Sequence, residues 1–528
     1  MGKKINRREF IKQATVTGLA LPQLVSQVAC LRKFKQPNII FIMADDHACR
    51  GISCYGDRLM PTPNIDRLAE EGKRFDSFFT TNSICAPSRA SILTGQYSHR
   101  HGVIDNRLEF KPRWPTLPQL LQQAGYQTAL VGKWHLKSSP EEFDYHFVLP
   151  GQGHYYNPDF IEQGQKIQEH GYVTKIISER AIAWLKARDK QQPFFLCVHH
   201  KAPHRNWMPD IEFLDLFRDQ NLPVPKTFFD DYQSRCPAAE LQEMRIADHA
   251  YLAYDLKLFP LEERQLTEHE QTGWEYWMNV FGRLTKGQKK AWEKAYRDEN
   301  EEFKLKSKKW TEEELALWKY QRYIKDYLRT VASIDQSVGQ LLEFLEKEGL
   351  AENTVVIYTS DQGFFLGEHG WFDKRFMYEP SLRTPLIIRY PEGLEKGVDR
   401  ENMIINVDLA PTLLELAGGE IPCWMQGRSF KKILQGKKVS DWRQSFYYHY
   451  YEYPAVHAVR RHCGVRSKRY KLIHYYYDLE CWELFDLERD PDELNNCYDN
   501  PEYQEIKDRL AQEILRWQAE LGVPEDEI

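Results

Sequence analysis

The sequence predicts an α/β protein: a large doubly wound sheet domain followed by a smaller C-terminal α/β domain. Three observations carry that expectation. Unbroken apolar runs recur without strict alternation, as strands buried on both faces require. Amphipathic helical stretches separate them, and each run ends in residues that can do chemistry. The 528 residues suffice for about three average domains, or for one large domain and a smaller partner.

The first run, Asn38 to Ala44, leads into Asp45-Asp46. Thr128 to Val131 leads into Gly132-Lys133-Trp134-His135, and Phe194 to Val198 into His199-His200-Lys201-Ala202-Pro203-His204. Val355 to Thr359 leads into Ser360-Asp361-Gln362-Gly363. Between them, Ile65–Glu71 and Leu117–Ala124 read as short helices, each closed by a glycine, Gly72 and Gly125, at a left-handed cap. Ile176–Ala187 and Tyr327–Leu345 read as longer amphipathic helices. In such a fold ligands bind beyond the carboxyl ends of the strands. Four chemically armed endings converging on one sheet edge therefore define a site.

Asp45, Asp46, Asp361 and Gln362 form an oxygen-only set. One Asp-Asp pair is ordinarily a turn or a helix cap. Three carboxylates in one pocket instead need a counter-cation, because their mutual repulsion would otherwise protonate one of them. Carboxylates with an amide oxygen suit Ca²⁺ better than octahedral Mg²⁺.

Thr81 to Gly95 starts as a loop and continues as a helix that tolerates Pro87 in its first turn, placing Cys85 at the helix N-terminus. By chemistry alone Cys85 is either a thiolate nucleophile or a small buried residue, with Arg89 a fixed positive fork nearby. Cys85-Ala86-Pro87-Ser88-Arg89, running on to Leu93-Thr94-Gly95, resembles the signature of the type I, formylglycine-dependent sulfatases. The resemblance extends through Asp45-Asp46, Gly132 to His135, Lys201 to His204 and Ser360 to Gly363. It ends with Leu366 to Gly370 and Phe372-Asp373-Lys374-Arg375, in the family's order, over about residues 37–420. It implies an alkaline-phosphatase-like catalytic domain over 37–420 and a C-terminal subdomain over 425–528. It further implies conversion of Cys85 to 3-oxoalanine (Cα-formylglycine) by a formylglycine-generating enzyme. Asp45, Asp46, Asp361, Gln362 and the modified Cys85 would hold Ca²⁺, although many relatives carry Asn where this chain has Gln362.

The resemblance also implies a mechanism. A thiol attacking sulfur would leave an adduct with no easy exit. One hydroxyl of the hydrated aldehyde attacks instead, and the other collapses to release sulfate. Arg89 would hold the gem-diol, Lys133 and Lys374 the sulfate oxygens. His135 would take the proton during collapse and His204 would protonate the leaving oxygen. Lys201 and His200 are read as solvated loop residues. The extended blocks at His199–Pro209 and Gly370–Glu379 resemble bacterial sulfatases of glycosaminoglycan sugars, nearest those cleaving N-acetylglucosamine 6-sulfate. A 2-O-uronate or galactosamine sulfatase, a phosphodiesterase or phosphonate hydrolase of the same superfold, and a non-catalytic glycan-binding protein are the alternatives.

Net charge is 71 − 77 = −6, which argues against nucleic acid as a partner. The 14 Trp, 29 Tyr and 27 Phe suit sugar stacking, although packing accounts for most of them. Ten scattered cysteines without a C-x-x-C pair exclude a zinc ribbon and leave disulfides open. Residues 1–30, with Arg7-Arg8 and a mildly apolar run, resemble an export signal, so a periplasmic or cell-surface location is expected. Cys30 partly resembles a lipidation site, with Gln27 out of pattern. No later run is long enough to span a membrane. Residues 210–330 read as a helical insertion, a solvated cover with Trp292, Trp310 and Trp318. In the last segment His457 and His462 are candidates for substrate contact, and Tyr470–Leu487 resembles a closing hairpin.

Overall fold

The computed structural model describes residues 36–56, 59–259 and 266–525; the expected export leader and Cys30 lie outside the described residues. The first apolar run forms β1 (Asn38–Ala44). Helix α1 (Pro63–Glu71) precedes β2 (Lys73–Phe75) and β3 (Phe78–Phe79). Next come α2 (Cys85–Thr94), α3 (Leu117–Gln123), β4 (Gln127–Lys133) and β5 (Tyr145–Leu149). A short ribbon, β6 (Asp159–Glu162) and β7 (Gln165–Gln168), leads to α4 (Val173–Ala187) and β8 (Phe194–His199). Three long helices follow among the described residues: α5 (Glu268–Gly282), α6 (Lys286–Lys306) and α7 (Glu312–Lys347). Then come β9 (Thr354–Ser360), β10 (Leu386–Arg389), β11 (Gly397–Asp399), β12 (Ile404–Ile405) and α8 (Leu409–Leu416).

Ten of these strands build one sheet in the order β11-β2-β10-β9-β1-β8-β4-β5-β6-β7. Its centre is parallel, β1 lying between β9 and β8, and β4 between β8 and β5. The four apolar runs of the sequence are thus four adjacent strands, β9, β1, β8 and β4. Their lack of alternation has a direct cause. Ile40 and Ile42 of β1 pack in one core with α1, α4 and α7, while Ile39, Phe41 and Met43 pack in a second core with α2, α3 and α8. Both faces are covered, so both sets of positions are apolar.

The C-terminal sheet is antiparallel: β13 (Ser445–Tyr450), β14 (His462–Ser467), β15 (Tyr470–Tyr475) and β16 (Cys481–Asp486) pair in chain order. The expected closing hairpin is β15 and β16. Helix α9 (Gln504–Leu521) lays Leu510, Ile514 and Leu521 on this sheet's core. Pro37–Ile528 form one compact unit. A disulfide between Cys236 and Cys481 ties the segment before α5 to β16. Among the described residues no helix is long and apolar enough to cross a membrane.

Three expectations need correction. Gly72 is not a left-handed cap: it is extended (φ −131°), and its missing Cβ lets the chain pass against the Ile388 carbonyl. Gly125 does adopt positive φ, +91°. The long helices of the insertion over 210–330 begin only at Glu268, since residues 210–259 are mostly irregular, with short turns and one short helix, Ile246–His249. Nor is it merely a solvated cover, because Trp277 and Trp292 are fully buried. Helix α7 begins well before Tyr327. Thr311 accepts from the Glu314 amide and closes a capping box there, and the apolar stripe runs on to Leu345.

Candidate functional site

Register brings the chemistry together. Ala44 pairs with Ser360, so Asp45 and Asp361 leave β1 and β9 side by side. The backbone N–H of Asp46, at φ +71°, donates to Asp361 Oδ1 at 3.1 Å. Gly132 pairs with His199, which sets Lys133 beside the end of β8. Only glycine fits there: φ is +114° and a Cβ would sit on the His199 carbonyl oxygen. Helix α2 starts at Cys85 with all ten of its residues buried, and its first turn faces the strand ends.

The Cys85 sulfur lies 3.4 Å from Asp45 Oδ1 and 3.5 Å from Gln362 Nε2. Burial pushes its thiol well above the usual range, the opposite of what a thiolate nucleophile needs. Arg89 sends Nε and Nη2 to Asp361 Oδ2 at 3.0 and 2.9 Å, and Nη1 to the Lys133 carbonyl at 3.0 Å. Lys133 donates to Asp45 and, at 2.5 Å, to Gln152 Oε1. Lys374 donates to Asp46 Oδ2 at 2.6 Å. Burial opposes the Lys374 charge, but Asp373 and Asp46 hold its pKa well above the ordinary lysine value.

His204 Nδ1 is 2.6 Å from the Arg205 carbonyl, which can only accept, so Nδ1 carries the hydrogen and Nε2 faces the site, 3.7 Å from Asp46 Oδ2. His135 sits at φ +57° with Nδ1 buried and without a hydrogen-bond partner. Burial, reinforced by lysines, keeps both imidazoles well below their usual pKa.

The carboxylates answer whether a cation fits. Asp45, Asp46 and Asp361 each offer an oxygen within 4.8 Å of the others. Burial raises Asp46 to about 6, opposed by Lys374 and aided by Asp45. Burial with Asp45 raises Asp361 to about 7, against Arg89. Asp45 stays well below the carboxylate range, because Lys133, His204 and Arg89 outweigh its burial. Gln362 donates Nε2 to Asp46 and leaves Oε1 buried and unpartnered. A hard divalent cation would satisfy that oxygen and discharge the carboxylates, and these donors fit one.

Above Cys85 opens a cavity of about 400 Å³, walled by His204, Lys374, Arg375, Glu452, Arg107 and His457. His457 Nε2 is 3.4 Å from Asp373 Oδ2 and its Nδ1 bonds the Glu243 carbonyl. His462 is elsewhere. It is fully buried in β14 among Phe376, Tyr448 and Tyr475, with Nδ1 at the Arg460 carbonyl and Nε2 accepting from the Met377 amide. Both its nitrogens are consumed, and it does not line the cavity. Lys201 and His200, read as solvated, are 3 % and 0 % exposed. Gln152 and Glu452 went unnoticed as site residues in the sequence: the first sits in a Pro-Gly-Gln-Gly turn with no chemical signature, the second in a run of tyrosines.

A doubly wound sheet with an acidic cradle, a buried cysteine at a helix start and paired lysines defines an enzyme that handles tetrahedral oxyanion esters. Residues 37–419 match the sulfatase family, and residues 367–520 match the C-terminal region of N-sulphoglucosamine sulphohydrolase. The chain belongs to the sulfatase family and is a sulfuric ester hydrolase. It is 48% identical over 486 residues to an N-acetylglucosamine-6-O-sulfatase of Bacteroides thetaiotaomicron, covering 90% of this chain and 85% of the relative. It is 25% identical over 437 residues to the N-acetylglucosamine-6-sulfatase of Homo sapiens, covering 78% and 66%. A solved structure of a protein in complex with its substrate D-glucosamine-2-N,6-O-disulfate superposes with a TM-score of 0.89 and 47% identity. That match covers 93% of this chain and 99% of the other.

Proposed function

We propose that this enzyme removes the 6-O-sulfate from N-acetylglucosamine or a related glucosamine of heparan-type glycans. The carrying observation is 48% identity across nine-tenths of the chain to a relative so named. The cavity over Cys85, rimmed by cations and closed on one side by His204, supports it.

Cys85 is the residue converted to formylglycine, and its buried, protonated thiol is consistent with a role only after conversion. A bound Ca²⁺ supplies charge relief for the oxygen nucleophile and the sulfuryl oxygens. The chain's own residues do the rest. Asp45, Asp46, Asp361 and Gln362, with the modified Cys85, would hold the cation, and Arg89 fixes Asp361. Lys133 and Lys374 bind sulfuryl oxygens. His204 Nε2 donates a proton to the leaving sugar oxygen, and the negative charge of the arriving ester favours the protonated imidazole that burial opposes. His135, held neutral by burial, accepts the proton released as the sulfated intermediate breaks down. His457, oriented by Asp373 and the Glu243 carbonyl, contacts the sugar.

Residues 1–30 act as the export leader, with Cys30 open to lipidation, and a formylglycine-generating enzyme is the required maturation partner. Residues 425–528 serve as the subdomain that brings Glu452 and His457 to the catalytic domain over 37–420. Sulfate release from a panel of 6-O-, 3-O- and 2-O-sulfated sugars tests the assignment. Fastest turnover of 6-sulfated N-acetylglucosamine is expected, and indifference to it alongside rapid cleavage of another sugar overturns it. Preference for an aryl phosphate over an aryl sulfate would favour the phosphohydrolase alternative.

A further inference from the structure

Lys201 follows β8 and is 3 % exposed. Its ammonium lies 4.8 Å from the centroid of Tyr155, and among the described residues no carboxylate pairs with it. Burial lowers its pKa to about 7, Lys133 adding to the effect and Asp45 opposing it. An interior cation without a counter-ion is costly, and such groups are found where an anion completes them.

Lys201 lines a second cavity, of about 280 Å³, which shares Gln152, His204 and Arg205 with the cavity over Cys85. No Asp or Glu lines it. Arg205 in its wall is already neutralised by Asp255, at 2.8 Å from Nε, so Lys201 is the uncompensated charge there. Tyr254, Tyr276 and Asn279 add ring faces and an amide, the mixture that holds a sugar.

We propose that this second cavity is an anion subsite in which Lys201 receives another negatively charged substituent of the glycan whose sulfate ester lies over Cys85. The inference rests on the function proposed above. The substituent is either an N-sulfo group on the same glucosamine or the carboxylate of an adjoining uronic acid, and the two are separable.

The test measures kcat/KM for mature wild-type enzyme, Lys201→Met and Lys201→Arg on three substrates. These are 6-O-sulfated N-acetylglucosamine, 2-N,6-O-disulfated glucosamine, and 6-O-sulfated N-acetylglucosamine joined to a uronic acid. Lys201→Met is expected to lower kcat/KM at least 10-fold, mainly through KM, on one dianionic substrate while changing the monosulfated sugar less than 2-fold. Lys201→Arg recovers most of the loss. The substrate that suffers identifies the substituent. An equal loss on all three, or none, overturns the subsite. Wild-type turnover of none of them overturns the proposed function and the subsite together. Should Lys201→Met fail to fold, wild type decides by competitive inhibition. Analogues lacking the 6-O-sulfate but carrying the N-sulfo group or the uronate are tested against N-acetylglucosamine. One of the charged analogues should inhibit at least 10-fold better, and equal inhibition by all overturns the subsite.

Discussion

Gln362 donates its side-chain amide to Asp46 and keeps its own carbonyl oxygen buried with no partner, beside two carboxylates whose ionisation burial opposes. The arrangement is electron-rich and incomplete, and turning the amide over would add a fourth oxygen to the cradle.

Cation-free protein should therefore carry a pH-dependent weakness. Asp46 and Asp361 titrate near 6 and 7 when folded, against about 4 when unfolded. At these two carboxylates the folded state binds more protons across that window, so their contribution to stability falls as pH rises from about 4 to 7. The buried His135 and His204 contribute in the opposite sense. Added Ca²⁺ competes with the carboxylate protons, so the stabilisation it gives should grow across the same window. Thermal unfolding of chelator-treated protein at several pH values, with and without Ca²⁺, measures this. A Ca²⁺-induced shift in midpoint that does not grow with pH contradicts it.

Arg89 presents two nitrogens to one Asp361 oxygen and a third to the Lys133 carbonyl, with everything buried. Arg89→Ala leaves Asp361 without its partner, and loss of a buried pair's partner costs about 3–5 kcal/mol. Arg89→Lys keeps the charge but not the fork, so it should recover stability in part while sulfate release stays low. Unfolding midpoints with activity assays of both variants distinguish charge from geometry.

Much of this was legible in the sequence, for a physical reason. Strands covered on both faces advertise themselves as unbroken apolar runs, and a parallel sheet delivers its functional residues directly after them, as at Asp45, Lys133, His204 and Asp361. What stayed hidden depends on packing at long range. Nothing local distinguishes His457, held against Asp373 in the cavity, from His462, stacked among tyrosines five residues on. The burial of Lys201 is likewise set by Tyr155, on a different loop. The irregular course from 210 to 259 has no local signal either, since its tertiary contacts rather than any periodicity hold it in place.

The Cys236–Cys481 disulfide closes a loop of 245 residues, joining that irregular segment to β16. Cross-links over long loops restrict the unfolded chain most, and loss of a native one costs about 2–5 kcal/mol. Replacing both cysteines by alanine should lower the unfolding midpoint. Reductant should lower the wild-type midpoint similarly and leave the double variant unchanged. Equal sensitivity of both proteins to reductant places the effect elsewhere.

His204 is tied by Nδ1 to the Arg205 carbonyl, which leaves Nε2 as the nitrogen that meets substrate. If it protonates the leaving oxygen, its value depends on how badly that oxygen needs a proton. A sugar hydroxyl is a poor leaving group, whereas p-nitrophenolate departs without help. General acid catalysis is worth about 10²–10⁴-fold, so His204→Ala should lose about that much on 6-sulfated N-acetylglucosamine and less than about 10-fold on p-nitrophenyl sulfate. The alkaline limb of the pH profile carries a second signature: on the sugar sulfate it reports loss of the imidazole proton, and in the variant that limb disappears. Equal losses on the two esters would instead make His204 a binding residue and move the proton donor elsewhere in the cavity.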